Sequence, residues 1–420
     1  MISFIISKLK YIFVFFIIIA LNSCLKYNIH NCDILASNGV KWDNINCVAA
    51  EKACNEAVYL YPNNMKYIYQ YGRVLLKQKN CDEAFKYLNK AAKNKYPAAL
   101  YLIGKEYELG DNCVDQNFDL AMKSFHKAAD LNSPSAMNSI GHMYLKGNGV
   151  KQDYSVALEW FRKAAFKGHA LAMTNIGVMY NKGKGVIRNY KLALDWYRKA
   201  AKNGDGLAMN NIGWMYVKGQ GVQKNYKTAL NWLHKSVNKG EELAMNNVGV
   251  MYHNGYGLEK DFKTAKDWYY KAIKKGNPLA MNNIGILYEF GLGVGKDYAT
   301  ALDWYHKAAN EGHAGAMNNI GSMYYNGNGV LQEYKIALNW YHKAAKKENS
   351  EAMNSIGWMY ENGLGVLQNY AHALKWYKNA AKKGNINAMY NISNLYKYGK
   401  GVQKDISMSK KWFYKAKDAE

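Results

Sequence analysis

Histidine and cysteine are the residues best suited to metal binding or covalent chemistry, and neither falls into a reactive pattern here. His126, His234, His306 and His342 occupy equivalent places, two residues after a recurring tryptophan position. Arg162, Arg198, Tyr270 and Lys378 fill that place elsewhere, so the set suits a solvated helix face better than convergent ligands. The six cysteines, Cys24, Cys32, Cys47, Cys54, Cys81 and Cys113, crowd the first third without metal-site spacing. No Gly-x-Ser-x-Gly elbow, Walker loop or His-Glu-x-x-His occurs. The recurring Gly-x-Gly reads as a turn device, since no strand precedes it and no Gly-Lys-Ser/Thr follows. No catalytic, cofactor or metal site is expected, and the chain reads as a non-enzyme.

The more informative polar residues are asparagines. One line runs through Asn138, Asn210, Asn246, Asn282, Asn318 and Asn354, interrupted by Thr174 and ended by Tyr390. A second runs through Asn175, Asn211, Asn247, Asn283 and Asn319. A carboxamide both donates and accepts, so it can grip a ligand or bridge two helices. Both readings stay open for the first line, and bridging is favoured for the second. Trp214, Phe290, Tyr325, Trp358 and Tyr398 vary from unit to unit, as contact residues do, and offer flat anchors; their alternative is partial burial against the next hairpin.

These residues ride on a repeat. Ala136, Ala172, Ala208, Ala244, Ala280, Ala316, Ala352 and Ala388 recur every 36 residues, with Ala99 one insertion earlier near Cys113. Within one unit, Ala208, Ile212, Met215 and Tyr216 share a single helical face. Lys218-Gly219-Gln220-Gly221-Val222 then reverses the chain, its glycines supplying left-handed backbone. Asn225 sits where an N-cap is wanted, as do Asp153, Asn189, Asp261, Asp297, Asn369 and Asp405. The second helix presents Tyr226, Ala229, Leu230, Leu233 and Val237 on one side. Trp232 recurs as Trp160, Trp196, Trp268, Trp304, Trp340, Trp376 and Trp412, and these rings are expected to fill the space between hairpins. One hairpin alone cannot bury such a surface, so each unit depends on its neighbours.

The string Ala208-Met209-Asn210-Asn211-Ile212-Gly213-Trp214-Met215-Tyr216, with Gly219-Gln220-Gly221-Val222 and Ala229-Leu230-Asn231-Trp232, resembles the Sel-1-like repeat family. Nine such repeats are read over residues 98–420, following tetratricopeptide-like helices over 47–97, where Ala50, Cys54, Ala57 and Pro62 precede Gly72, Ala84, Leu88, Ala91 and Pro97. Ser124 in place of the first tryptophan, Cys113 in place of a loop glycine and Ser393 in place of the last helix glycine mark the departures. The resemblance implies an all-α fold, a right-handed alpha-alpha superhelix (solenoid) of antiparallel helix pairs, with first helices lining a concave groove. By the same alignment, Asn138, Asn210, Trp214, Asn246, Asn282, Phe290, Asn318, Tyr325, Asn354 and Trp358 are the candidate groove contacts. It implies a scaffold or adaptor holding a protein, an extended peptide or a glycan. Cysteine-rich relatives described as beta-lactamases supply an alternative, but they carry a regular cysteine pair that is missing from Ala136 onward.

The formal net charge of +24 raises nucleic acid, an anionic surface or an acidic polymer as partners. Much of the charge recurs at second-helix ends, as at Lys199 and Lys202 or Lys346 and Lys347, where it complements the helix dipole, so nucleic acid is discounted. Residues 1–23 read as a signal peptide: Lys8 and Lys10 precede an apolar run from Tyr11 to Leu21, too short to span a bilayer comfortably. Leu21-Asn22-Ser23-Cys24 resembles a bacterial lipobox, which implies lipidation at Cys24, with ordinary signal cleavage or a retained membrane anchor as alternatives; residues 24–46, without sustained periodicity, read as a tether or partial cap. A periplasmic or membrane-anchored envelope location follows as the expectation, with a secreted host-interaction factor as the alternative. Beyond Cys24, five cysteines in an oxidising compartment allow at most two bridges. Cys81 and Cys113 fall near loops of successive hairpins, but connectivity stays open.

Overall fold

The computed structural model describes Cys32, residues 47–110 and residues 113–419. The leader, Cys24 and, apart from Cys32, the 24–46 segment lie outside the described residues. Among the described residues there are 21 helices and no strand, from Cys47–Leu60 to Ile406–Lys417, and sequence neighbours pack as pairs. This is an all-α solenoid of antiparallel helix pairs. None of the helices is long and apolar enough to cross a membrane. The chain divides into two compact units, one up to Ala208 and one from Met209.

Within the second unit, the pair Pro278–Phe290 and Tyr298–Asn310 shows how a repeat is built. Ala280, Ile284 and Leu287 are buried on one face of the first helix and cluster with Ala265, Tyr269 and Ala272 of the helix before it; Ala301, Tyr305 and Ala308 are buried on the second helix and cluster with Ala316 and Ile320 of the helix after it. Full burial of an Ile or Leu side chain contributes roughly 1.5–3 kcal/mol, so these few residues hold each hairpin to its neighbours. Gly285 lets the helices close: a Cβ built there would lie 2.5 Å from the Tyr305 ring. The reversal uses Gly291 and Gly293 at φ 68° and 65°, as the equivalent Gly219 and Gly221 do at 69° and 71°. The next helix then starts where Asp297 accepts from the backbone N–H groups of Ala299 and Thr300. Asn225, Asp153, Asn189, Asp261, Asn369 and Asp405 cap their helices in the same way, as their side-chain types implied.

The tryptophans do not hold the deepest positions. Except after Trp412, the next residue does: Phe161, Tyr197, Leu233, Tyr269, Tyr305, Tyr341 and Tyr377 are buried, while the tryptophans stay half-buried. Except at Trp376, where Asn379 takes the place, a lysine three residues on lies over the indole, with Nζ 3.8 Å from the Trp340 ring centre for Lys343 and 4.6 Å from that of Trp412 for Lys415. Lys163, Lys199, Lys235, Lys271 and Lys307 repeat the arrangement. Part of the positive charge is thus laid along aromatic surface by cation–π attraction.

Cysteine pairing is also resolved. Cys32 joins Cys54 and Cys81 joins Cys113, which ties the N-terminal hairpins together at the place where the repeat spacing is irregular.

First helices need caps too, and two of them use histidine. Nδ1 of His169 accepts from the Ala172 backbone N–H at 3.2 Å, and Nδ1 of His313 from Ala316 at 3.0 Å. Asn277, Asn349 and Asn385 use an amide oxygen at the same place. An imidazolium has no acceptor, so these caps exist only in the neutral form. Burial holds both imidazoles below the ordinary histidine value. As pH falls through about 6.5 the unfolded chain takes up protons before the folded one. Stability is therefore full above that pH and is lost as pH falls toward the folded value. Thermal melts from pH 7.5 to 5 should show this decline, and His169→Asn with His313→Asn should flatten it; an unchanged slope would remove the caps as its source.

Candidate functional site

The asparagines come together as a ladder between successive first helices. Nδ2 of Asn247 donates to Oδ1 of Asn210 at 2.8 Å, Asn283 to Asn246 at 2.9 Å, and Asn319 to Asn282 at 3.0 Å. Asn391 donates to Asn354 at 2.9 Å, and in the first unit Asn175 donates to Asn138 at 2.9 Å. Close packing of the first helices buries the first line except Asn354, which is half-buried: Asn210 is 5% exposed and Asn246 4%. A buried amide left unpaired is costly, and the second line supplies the partner. The bridging reading of both lines thus has its geometry, and the groove contacts expected at Asn138, Asn210, Asn246, Asn282 and Asn354 have their oxygens committed to neighbouring helices.

Two members of the first line lack the rung. Thr174 is fully buried with no partner for its hydroxyl among the described residues. Asn318 is 8% exposed with Oδ1 likewise unpartnered, because the residue 37 positions on is Ser355 where the other rungs have asparagine.

The aromatic candidates lie on the same first helices but more openly. Phe290 is 62% exposed at the end of its helix, and Trp358 is 44% exposed. Trp214 is half-buried, with the Lys218 ammonium 5.6 Å from its ring. Tyr325 and Trp358 meet: the indole N–H of Trp358 donates to the Tyr325 hydroxyl at 3.1 Å. With Tyr341, Asn354 and Ser355 they line a pocket of about 170 Å³. Burial raises the Tyr341 phenol above its ordinary value, so it stays a neutral hydroxyl, 3.2 Å from Ser322 Oγ. The pocket offers a flat aromatic wall, hydroxyls and an amide, with no charged group in its lining.

Four histidines weighed as ligands instead lie at the edges of rings in the next repeat, His126 against Trp160, His234 against Trp268, His306 against Trp340 and His342 against Trp376, with centroids 5.2–5.6 Å apart. One notable residue had no signal but its position. Arg73 follows the helix glycine, where later repeats have Val250 or Ile286. It is 6% exposed and, with Tyr69, Tyr96 and Tyr101, lines a cavity of about 620 Å³ in the first unit. Burial pushes the Tyr69 phenol up to about 12, against the opposing pull of the Arg73 charge.

With this geometry in view, the chain belongs to the Sel1 repeat family: the Sel1 repeat profile matches ten segments, running from 67–96 and 97–133 through to 386–420. The first of these covers a hairpin in the stretch read above as tetratricopeptide-like. A Sel1 repeat protein from Oxalobacter formigenes is 36% identical over 59% of this chain and 100% of that one, with a TM-score of 0.50. A protective antigen of uropathogenic Escherichia coli strains, displaying an SLR fold, is 31% identical over 87% of this chain and 79% of that one, with a TM-score of 0.48. A human IFIT1 dimer, 14% identical over 93% of each chain with a TM-score of 0.50, shares the fold alone. A comparison with curated proteins finds no match.

The ladder makes a direct demand on stability. Asn246→Ala removes an acceptor from a buried rung and strands the Asn283 donor, which should cost roughly 1–3 kcal/mol. Urea unfolding of the full chain reads this, and an unchanged midpoint would show that the ladder contributes nothing.

Proposed function

We propose that this chain is an exported interaction scaffold that holds an extended segment of a partner protein against its first-helix face. Sel1 repeat proteins generally mediate protein–protein interaction and are generally non-enzymatic. One observation carries the specific reading: the first-helix positions that vary between repeats expose Phe290, Trp358 and Tyr398, whereas those that recur are buried in the ladder and core. Exposed aromatics beside hydroxyls and amides are what a peptide needs for anchoring and orientation.

Export is supported by the leader-like first 23 residues and by the pairing of Cys32 with Cys54 and Cys81 with Cys113, which suits an oxidising compartment. The proposal places a lipid on Cys24 and the repeats at a membrane surface in the cell envelope. A glycan in place of the peptide is an outcome of the tests, as is release from the cell.

Crosslinked capture from fractionated native cells tests the whole reading. The full chain should sediment with membranes and capture a partner. Trp214→Ala, Phe290→Ala and Trp358→Ala together should reduce capture at least tenfold while the melting temperature of the chain is nearly unchanged. Capture that survives the triple change would move the interaction off this face, and a soluble, unmodified chain would remove the lipid anchor.

A further inference from the structure

One second-helix position carries a ring on either side of a single gap: Tyr87 before it, then Trp160, Trp196, Trp232 and the later tryptophans after it. Ser124 is the gap. Where the ring is present, two neighbours frame it. Trp160 has the His126 imidazole of the previous repeat at its edge, with centroids 5.3 Å apart, and the Lys163 ammonium 4.2 Å from its ring centre. The indole itself packs against the buried core of the first unit.

At Ser124 the frame is kept and the ring is given up. Asn89, one repeat earlier, stands in the place of His126, and Lys127, three residues on, stands in the place of Lys163. Both of them, with Ser124, line a cavity of about 520 Å³. Leu100 and Ile103, from the first helix of this repeat, add apolar surface to it. The cavity thus occupies the indole's place in this repeat, opened by a side chain that ends at a hydroxyl. Its volume falls within the roughly 300–1,000 Å³ of ligand pockets, enough for a ring and the backbone that carries it.

We propose that this cavity receives a tryptophan side chain of a partner protein, on a segment whose flanking residues are acidic. The lining selects both features. Cation–π attraction draws the face of a ring to the Lys127 ammonium, most strongly for indole, and an aliphatic side chain has no such face. The side-chain oxygens of Asn89 and Ser124 are acceptors for an indole N–H. The charged residues of the lining are Lys93, Lys95 and Lys127 against Asp130, a positive balance that favours carboxylates on the incoming segment and opposes a basic one. The site uses none of Trp214, Phe290 or Trp358, so its test is independent of the first-helix face.

The test uses the full chain and the peptide acetyl-Asp-Ala-Trp-Ala-Asp-amide, with saturation transfer to the peptide's indole protons read by NMR. Binding should saturate at about millimolar peptide, and the versions with Leu for Trp, or with Lys for both Asp, should be about tenfold weaker. N-acetyltryptophanamide, which has the ring without the acidic flanks, should also be about tenfold weaker. If it binds as tightly as the peptide, the cavity is a site for a free small molecule and the proposal ends. Ser124→Trp fills the place from within, as the later repeats do, so it should abolish the signal and raise the melting temperature. An unchanged or lower melting temperature would show that the cavity lacks an indole's shape, and a signal that survives this change would put binding elsewhere; each overturns the assignment. Lys127→Gln should keep the melting temperature, since the repeat of Trp376 has Asn379 at this position, and should weaken the peptide several-fold. An unchanged affinity there would remove the contact that selects a ring. Equal response to the Trp and Leu peptides, or no response to any probe, also ends the proposal.

Discussion

The structure depends on one close contact, a ring pressed against a bare stretch of helix. At Gly285 the Tyr305 ring takes the space of a side chain, and the same approach recurs at Gly249 with Tyr269 and at Gly357 with Tyr377, where a Cβ would stand 2.6 Å from the ring. A large residue cannot be added there without moving a fully buried aromatic, and interiors packed at this density accommodate such shifts poorly. The contact sets how near the two helices of a hairpin lie, which in turn decides what the opposite faces can do. The second helix turns its tryptophan and lysine outward. The first keeps its asparagines within reach of the next repeat.

Burying the asparagines creates an obligation that the ladder meets. An amide in this setting earns little net stability when paired but loses much when left alone. The ladder therefore works as a register device: a first helix displaced along its neighbour would break each rung that links the two. The proposed function leaves recognition to positions the repeat does not need, at Phe290, Tyr325 and Trp358. On that proposal, fold and recognition are divided between residues that recur and residues that differ.

Much of this was legible before any coordinates. Local rules suffice for the helices, the N-caps at Asn225 and Asp261, and the left-handed glycines at 219 and 221, because their partners lie within a few residues. Three features were not legible, and each depends on contacts between elements. The residue after the tryptophan proved more buried than the tryptophan itself; both lie on apolar faces of the same helix, and only the crossing geometry separates them. The asparagine rungs span 37 residues, one more than the repeat, which reflects how neighbouring first helices are staggered. The pairing of Cys81 with Cys113 had several competitors by sequence, and distance alone selects it. Histidine as a cap at His169 and His313 was missed for a different reason: imidazole is an uncommon capping group, and only the tautomer with a free Nδ1 acceptor can serve.

The division between recurring and differing positions can be tested by placing a photoreactive benzoylphenylalanine at one site at a time in the native cell. Trp358 and Phe290 represent the face assigned to recognition; Trp340 and Trp376 represent the second-helix face, equally aromatic and half-buried. The expected result is a partner adduct from positions 358 and 290 and none from 340 and 376. Adducts confined to 340 and 376 would place recognition on the lysine and tryptophan face and contradict the division proposed here.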